Sequence, residues 1–239
     1  PGVAFATVIA EVSALFLGLG LVYREIQNHR PSGEKIGLWN TEILVKMITI
    51  NLNIFIRTIA IISAFAFFTS QASSLGDITL AVHLVLLQFQ QFLAFGLDGF
   101  AHAAEALVGK SIGLKKRLSL RHAVLISSKW AVGIALLYTI LYALIGDHII
   151  YLLTGIAEVR TIAEQFLIWV IISPIISVWS FMLDGIFIGA TRSSEMRNGM
   201  VISLVIFVIA TEVLKPFMGY GGLWIAFMFF MITRAITLL

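Results

Sequence analysis

Two aspartates inside long apolar stretches are the residues of this sequence best suited to chemistry. Asp98 and Asp184 are each followed by glycine, in residues 95–100 and 181–187. An ionised carboxylate in hydrocarbon costs upward of about 2.5 kcal/mol, so such residues are usually kept for pairing, ion binding or proton transfer. Their occurrence in matching frames indicates a membrane transporter.

A buried cation accompanies the two carboxylates. Arg57 lies in the middle of another apolar stretch, where its side chain cannot easily reach water and needs an anionic partner. Asp184 is the favoured partner because it lies at comparable depth, and Asp98 is the other candidate. Such a pair either holds the helices closed until protonation or cation entry releases it, or is a permanent structural ion pair; the sequence leaves both open.

Further polar side chains share helix faces with these charges. At about 100° per residue, Gln91, Asp98, His102 and Glu105 fall on one narrow face and predict a buried polar stripe. Such a stripe either lines a transport cavity or joins helices through hydrogen bonds.

The helix that carries Asp184 also has small polar residues beside a proline. Ser177 and Ser180 share a face with Asp184, and Pro174 is expected to bend the helix and free backbone carbonyls. Together with Asn53, one turn before Arg57, these residues are predicted to line a cavity near the bilayer midplane. Close helix packing through the serines is the alternative.

Composition requires the elements that position these residues to be membrane helices. The 239 residues are 59% hydrophobic and 12% charged, whereas a soluble domain is about 25% charged. Apolar runs of about 20 residues predict an all-α polytopic protein, because no ten-residue block shows the period-two alternation of an outer-membrane barrel. The seven predicted spans are 2–23, 45–69, 79–110, 122–145, 161–191, 199–215 and 220–239.

Basic residues cluster in alternate connections, which predicts the orientation. The richer connections follow the first, third and fifth spans, with Arg24, Arg30 and Lys35, then Lys110, Lys115, Lys116, Arg117 and Arg121, then Arg192 and Arg197. By the positive-inside rule these connections and the carboxyl terminus are cytoplasmic. The excess of basic residues behind the net charge of +3 is therefore explained by the orientation of the chain in the membrane. No nucleic-acid partner is predicted.

Several function classes are disfavoured by the residue types. The chain has no cysteine, no histidine–carboxylate spacing typical of a zinc site, and no nucleophile–base constellation, so neither a metal site nor an enzyme is predicted. A retinal protein needs a lysine in the middle of its last span, which residues 220–239 lack.

Three stretches carry a family resemblance. Residues 97–110, LDGFAHAAEALVGK, with 81–83 upstream, resemble the multidrug and toxic compound extrusion (MATE) family, in particular its DNA-damage-inducible F branch. Residues 183–192, LDGIFIGATR, and 221–226, GGLWIA, support the same resemblance, which extends over essentially the whole chain.

The resemblance implies a twelve-helix transporter made of two six-helix lobes. Residues 1–23 then match the last helix of the first lobe, 24–44 a cytoplasmic inter-lobe linker, and 45–239 the second lobe, so the other lobe is an expected partner. The implied location is a bacterial-type inner membrane or the equivalent plastid envelope.

The implied activity is export of small amphipathic, often cationic, compounds in exchange for protons or sodium by lobe rocking, with no other cofactor. The resemblance assigns ion coupling to Asp184, while Arg57 stands where related sodium-linked proteins use an acidic residue, which favours protons. A lipid-linked precursor flippase of the same superfamily and a non-transporting membrane scaffold are the alternatives.

Overall fold

The secondary structure is entirely helical in the residues that the computed structural model describes, 2–28 and 40–239. Six helices are each long and apolar enough to cross a membrane, which makes the chain an integral membrane protein of the all-α class. They are α1 (Gly2–Asn28), α2 (Thr41–Ser73), α3 (Asp77–Gly113), α4 (Arg117–Leu153), α5 (Ala157–Gly189) and α6 (Ser193–Ile236).

The chain divides into two compact units, Pro1–Leu44 and Val45–Leu239. The first contains α1, and the second contains nearly all of α2 together with α3 to α6. The division falls at residue 45, where the second lobe is predicted to begin. The assignment of 24–44 as an inter-lobe linker stays a prediction, and its residues 29–39, with Arg30 and Lys35, lie outside the described residues.

α6 accounts for the difference between seven predicted spans and six helices. It has 44 residues, and Gly219 inside it has non-helical dihedral angles of φ 56° and ψ −131°. Beyond this kink the chain runs back along itself: a Cβ built on Gly222 would lie 2.5 Å from the carbonyl oxygen of Leu214, and one on Gly199 would lie 2.7 Å from the Thr237 hydroxyl. α6 is therefore a helical hairpin whose two arms correspond to the predicted spans 199–215 and 220–239.

We expect Gly219→Ala to destabilise this hairpin through the backbone alone. A Cβ at residue 219 would meet nothing within 4 Å, but L side chains rarely adopt a positive φ, and such a residue costs about 1–3 kcal/mol. Thermal denaturation of the detergent-solubilised protein should show a lowered Tm. Gly133→Ala, in open space with no positive φ, is the matched control; equal Tm values for the two variants would contradict the assignment.

Local hydrogen bonds define where several helices begin and end. Asn40 Oδ1 accepts hydrogen bonds from the backbone N–H groups of Glu42 and Ile43 at 3.1 and 3.3 Å, which caps α2. α3 and α5 end in Schellman turns whose left-handed positions are Lys115, φ 54°, and Thr191, φ 57°. These turns direct the chain into α4 and α6.

Close packing of α3 against α5 is the main contact that positions the charged residues. Cβ atoms built on Gly185 and Gly189 would lie 2.2 and 2.4 Å from the carbonyl oxygens of Ala101 and Glu105. Only glycine allows two backbones to approach this closely, as in other small-xxx-small helix pairs. The two helices run parallel in register, so the chain segments after Asp98 and Asp184 lie against each other.

An aromatic cluster fills the opposite part of the second unit. Phe68 of α2 stacks on Phe227 of α6 at a centroid distance of 4.7 Å and meets His83 edge-on at 4.4 Å. His83, predicted to lie near a span end, is fully buried and lies within hydrogen-bond distance of the hydroxyls of Thr69 and Tyr220. His83 thereby connects α3 to α2 and α6, which is a structural role in helix packing.

Candidate functional site

A charge cluster joins α2, α5 and the second arm of α6. Asp184 Oδ2 accepts hydrogen bonds from Nη2 of Arg57 and from Nη2 of Arg234, the latter at 2.7 Å. The Arg234 side chain is 2% exposed, that of Asp184 10% and that of Arg57 20%. One carboxylate oxygen is thus shared between two guanidinium groups in an environment that excludes most water.

The contact between Arg57 and Asp184 is the one favoured by the comparable membrane depth of the two residues in the sequence. The sequence does not predict that Arg234 joins this ion pair. The sequence places Arg234 near the end of its span, where an arginine usually reaches toward water. The hairpin at Gly219 instead brings the last turn of α6 against α5. The cluster consequently lies near the ends of two helices, five residues before the end of α5 and two before the end of α6.

The two guanidinium groups are not fully satisfied by Asp184. The Nε atoms of Arg57 and Arg234 are buried and have no hydrogen-bond partner among the residues that the structure describes. Arg234 also lies 5.7 and 5.6 Å from the ring centroids of Phe181 and Phe230, within the range of cation–π attraction. The three side chains carry a net charge of +1, which favours a second anion close by.

Asp98 is that second anion. It interacts electrostatically with His102 one turn further along α3, and then with Arg57, Asp184 and Arg234, yet within the described residues it makes no hydrogen bond and no ion pair. Asp98 is half-buried and borders a pocket of about 450 Å³ between α2 and α3, which is lined by Phe65, Leu87, Gln90, Gln91, Ala94, Phe95 and Asp98. A single free carboxylate with two amides and aromatic rings suits an amphipathic cation.

The two Asp-Gly pairs therefore have different surroundings, although the sequence pattern is the same. Asp184 is buried between two arginines, and Gly185 lies against the α3 backbone. Asp98 borders an open pocket, and a Cβ on Gly99 would meet nothing within 4 Å. Only the first pair combines ion pairing with close helix contact.

The polar stripe of α3 is not buried in this chain, contrary to the prediction. Gln91 is exposed, and the side chains of His102 and Glu105 are 76% and 37% exposed. His102 Nδ1 and Glu105 Oε2 are 3.5 Å apart, which links the two residues to each other and not to a second helix. The stripe does occupy one face of α3, but that face is only partly covered: Asp98 and Glu105 are half-buried, whereas Gln91 and His102 are exposed.

Ser177 and Ser180 lie inside the helix packing, which is a correction to their predicted place on a cavity wall. Both are fully buried. Ser180 Oγ donates to the Ser177 carbonyl at 2.8 Å and lies 3.9 Å from Met231 Sδ on α6. The serines allow α5 to approach α6 closely, which is the alternative role that the sequence left open.

The backbone interruption at Pro174 is repaired by a residue that the sequence did not single out. Pro174 has no N–H for the Val170 carbonyl, but Ser173 Oγ donates to that carbonyl at 3.0 Å, and Gln90 Nε2 donates to Ser173 Oγ at 2.7 Å. The freed carbonyl is thereby satisfied within the protein. Gln90 lies outside the polar stripe that helical phase predicts, so helical phase alone could not identify this partner.

Asn53 likewise has a structural environment. It is buried, donates to Ser193 Oγ at 3.2 Å and accepts a hydrogen bond from Arg197 Nη1 at 2.7 Å. It therefore ties α2 to the beginning of α6, one turn below Arg57, and does not line a cavity as predicted. In the part of the chain that the structure describes, no group of three or more histidine, cysteine, aspartate or glutamate side chains could hold a metal ion.

The fold and the charge cluster define a polytopic helical membrane protein with ionisable side chains buried between its spans, the class to which transporters belong. The model of the MatE family matches residues 54–216, and the chain belongs to this family. The members of the family are transporters and not enzymes.

Individual relatives agree with this assignment. The chain is 35% identical to DNA damage-inducible protein F of Escherichia coli over 237 residues, which cover 99% of the chain and 51% of that relative. It is 29% identical to the probable multidrug resistance protein NorM of Bacillus cereus over 81% of the chain and 39% of the relative. It is 25% identical to the chloroplastic protein DETOXIFICATION 44 of Arabidopsis thaliana, over 98% of the chain and 44% of that relative. The chain spans about half the length of the curated relatives that it matches.

Proposed function

We propose that this chain forms the second lobe of a secondary antiporter that exports amphipathic cations in exchange for protons, with a first lobe as its partner. The observation that carries the proposal is the unpaired carboxylate of Asp98 on the wall of an aromatic pocket, beside a carboxylate already neutralised by arginine. Membership of the MatE family and the similarity to a probable multidrug resistance protein support a transport function.

Asp98 is the better exchange site of the two aspartates. A cation that approaches Asp184 meets two guanidinium groups, which already supply the positive charge that a sodium ion or proton would bring. Within the described residues Asp98 makes no direct ion pair and feels Arg57 and Arg234 only at longer range, so a proton and a cationic substrate can compete for its charge. Sodium is disfavoured because carboxylate and carbonyl oxygens must surround it, whereas the pocket is lined mainly by apolar side chains.

The charge cluster gives the exchange a structural consequence. Arg57 interacts with both aspartates, so loss of the Asp98 charge on protonation strengthens the net attraction of Arg57 toward Asp184. Ionised Asp98 pulls the same guanidinium toward the pocket. Arg57 thereby links the occupancy of the pocket to the ion pair between α2 and α5, which is the kind of two-state contact that alternating access needs.

The test is efflux of a cationic dye from right-side-out membrane vesicles that contain the complete gene product. We expect Asp98→Asn to lower proton-driven efflux at least tenfold, because the site can no longer release a proton, and Asp98→Glu to retain a measurable part of it. Glu212→Gln, at an exposed carboxylate of α6, is the charge-matched control. Undiminished efflux in Asp98→Asn, or efflux that follows a sodium gradient alone, would refute the proposal.

A further inference from the structure

The turn between α3 and α4 carries a basic surface that the transport site does not use. We call it the basic turn; it comprises Lys110, Lys115, Lys116, Arg117 and Arg121, of which Lys110 lies in the last turn of α3 and Arg121 in the first turns of α4. All five residues are exposed. No aspartate or glutamate occurs between Glu105 and Asp147, so neither helix supplies a counter-charge near the turn.

The basic turn differs from the other basic residues on the same side of the second unit. Arg192 forms an ion pair with Glu195 at 2.7 Å, and Arg197 donates to Asn53 at 2.7 Å. Within the described residues, none of the five basic-turn side chains makes a hydrogen bond or an ion pair. Five positive charges thus lie within 12 residues without an anion of their own.

The turn is rigid, and one of its lysines occupies an unfavourable position. Ser111 Oγ bonds to the Leu107 carbonyl at 2.8 Å and to Ser119 Oγ at 3.3 Å, which holds the two helices together across the turn. Lys115, at φ 54°, is the left-handed residue of the Schellman motif, where glycine is the usual residue and a side chain costs about 1 kcal/mol.

Apolar side chains are interleaved with the charges. Ile112, Leu114 and Leu118 are exposed, Leu118 to 68%. The turn joins two helices of 37 residues, each about 55 Å long, and a bilayer with its headgroups is about 40–45 Å thick. Both helices are therefore long enough to bring the basic turn to the headgroup region, where its exposed leucines would stand beside the charges.

We propose that the basic turn binds the headgroups of anionic phospholipids, with phosphatidylglycerol as the representative ligand, in the leaflet that the positive-inside rule identifies as cytoplasmic. The unpaired charges would bind the phosphate of a lipid headgroup, and the interleaved Leu114 and Leu118 would contact the acyl chains of the same lipid. The hydrogen-bonded turn holds the two sets of side chains side by side. A soluble nucleic acid or acidic protein would use the charges and leave the leucines without a partner. The proposal is independent of whether Asp98 exchanges protons.

The test compares spin-labelled phosphatidylglycerol and phosphatidylcholine in liposomes that contain the complete gene product, and measures the relative association constant of the two lipids by electron paramagnetic resonance. We expect the wild type to prefer phosphatidylglycerol and Lys115→Gln/Lys116→Gln to lose about fivefold of that preference for each charge removed, since each basic residue near an anionic surface contributes about 1 kcal/mol. Lys115→Arg/Lys116→Arg should retain it.

Lys46→Gln/Lys129→Gln is the charge-matched control, because both lysines are exposed and lie outside the turn. An equal loss in this control would show that the preference depends only on the net charge of the protein and would overturn the proposal. An unchanged preference in the basic-turn variant would also overturn it.

If the basic-turn variant fails to fold, the test uses the wild type alone. Its preference for phosphatidylglycerol must fall as sodium chloride rises from about 50 to about 500 mM and must survive millimolar inorganic phosphate. A preference that is insensitive to salt, or abolished by phosphate, would contradict binding to lipid headgroups at this surface.

Discussion

Asp184→Asn is expected to yield a protein that is destabilised by about 3–5 kcal/mol, because the substitution leaves two buried guanidinium groups without their carboxylate. Arg234 is almost fully buried and cannot turn to water, whereas Arg57 is one-fifth exposed. We therefore expect Arg234→Gln to be more harmful than Arg57→Gln. Fluorescence-detected size-exclusion chromatography after heating would give the Tm of each variant.

The control for this prediction removes the whole cluster. In Arg57→Gln/Asp184→Asn/Arg234→Met none of the three positions carries a charge, and replacement of a buried ion network by neutral residues is often nearly neutral. The triple variant should therefore be more stable than Asp184→Asn alone. A wild-type Tm for Asp184→Asn, or a triple variant as unstable as that single variant, would show that the three side chains do not form an energetic unit.

Gly185→Ala is expected to force α3 and α5 apart and to destabilise the protein by about 1–3 kcal/mol. The added Cβ would lie 2.2 Å from the carbonyl oxygen of Ala101, and a backbone atom inside a helix cannot move aside as a flexible side chain can. Because Gly185 follows Asp184 directly, the shift also disturbs the charge cluster. The Tm and the yield of monodisperse protein are the measurements.

Gly99→Ala is a closely matched control, since Gly99 follows Asp98 in the same pattern on a helix of the same class. Its Cβ would meet nothing within 4 Å, and alanine is favoured over glycine in a helix by about 1 kcal/mol. Gly99→Ala should consequently have a Tm equal to or above that of the wild type. Equal losses in the two alanine variants would refute the packing role of Gly185.

The features that the sequence predicted well are those determined by composition and by short patterns. Membrane insertion and the all-helical class follow from apolar runs of membrane length, and the contact of Arg57 with Asp184 follows from the need of a buried cation for an anion. Each inference used a physical requirement that acts within one helix or one pair of residues.

The features that the sequence could not predict depend on how the helices meet. Arg234 reaches Asp184 only because the chain reverses at Gly219, and no local pattern encodes where the returning arm will lie. Helical phase placed His102 and Asp98 on one face, but phase does not tell whether that face is covered. Ser177 and Ser180 were assigned to a cavity because small polar residues serve both cavities and close packing, and only the neighbouring helix decides between them.

The central claim is that a proton and a cationic substrate compete for Asp98, and release of protons on substrate binding tests it most directly. In weakly buffered detergent solution, addition of tetraphenylphosphonium to the purified complete gene product should acidify the medium for the wild type and for Glu212→Gln, and should leave it unchanged for Asp98→Asn. Proton release that is equal in the wild type and in Asp98→Asn, or cation binding to the wild type without any proton release, would contradict the claim.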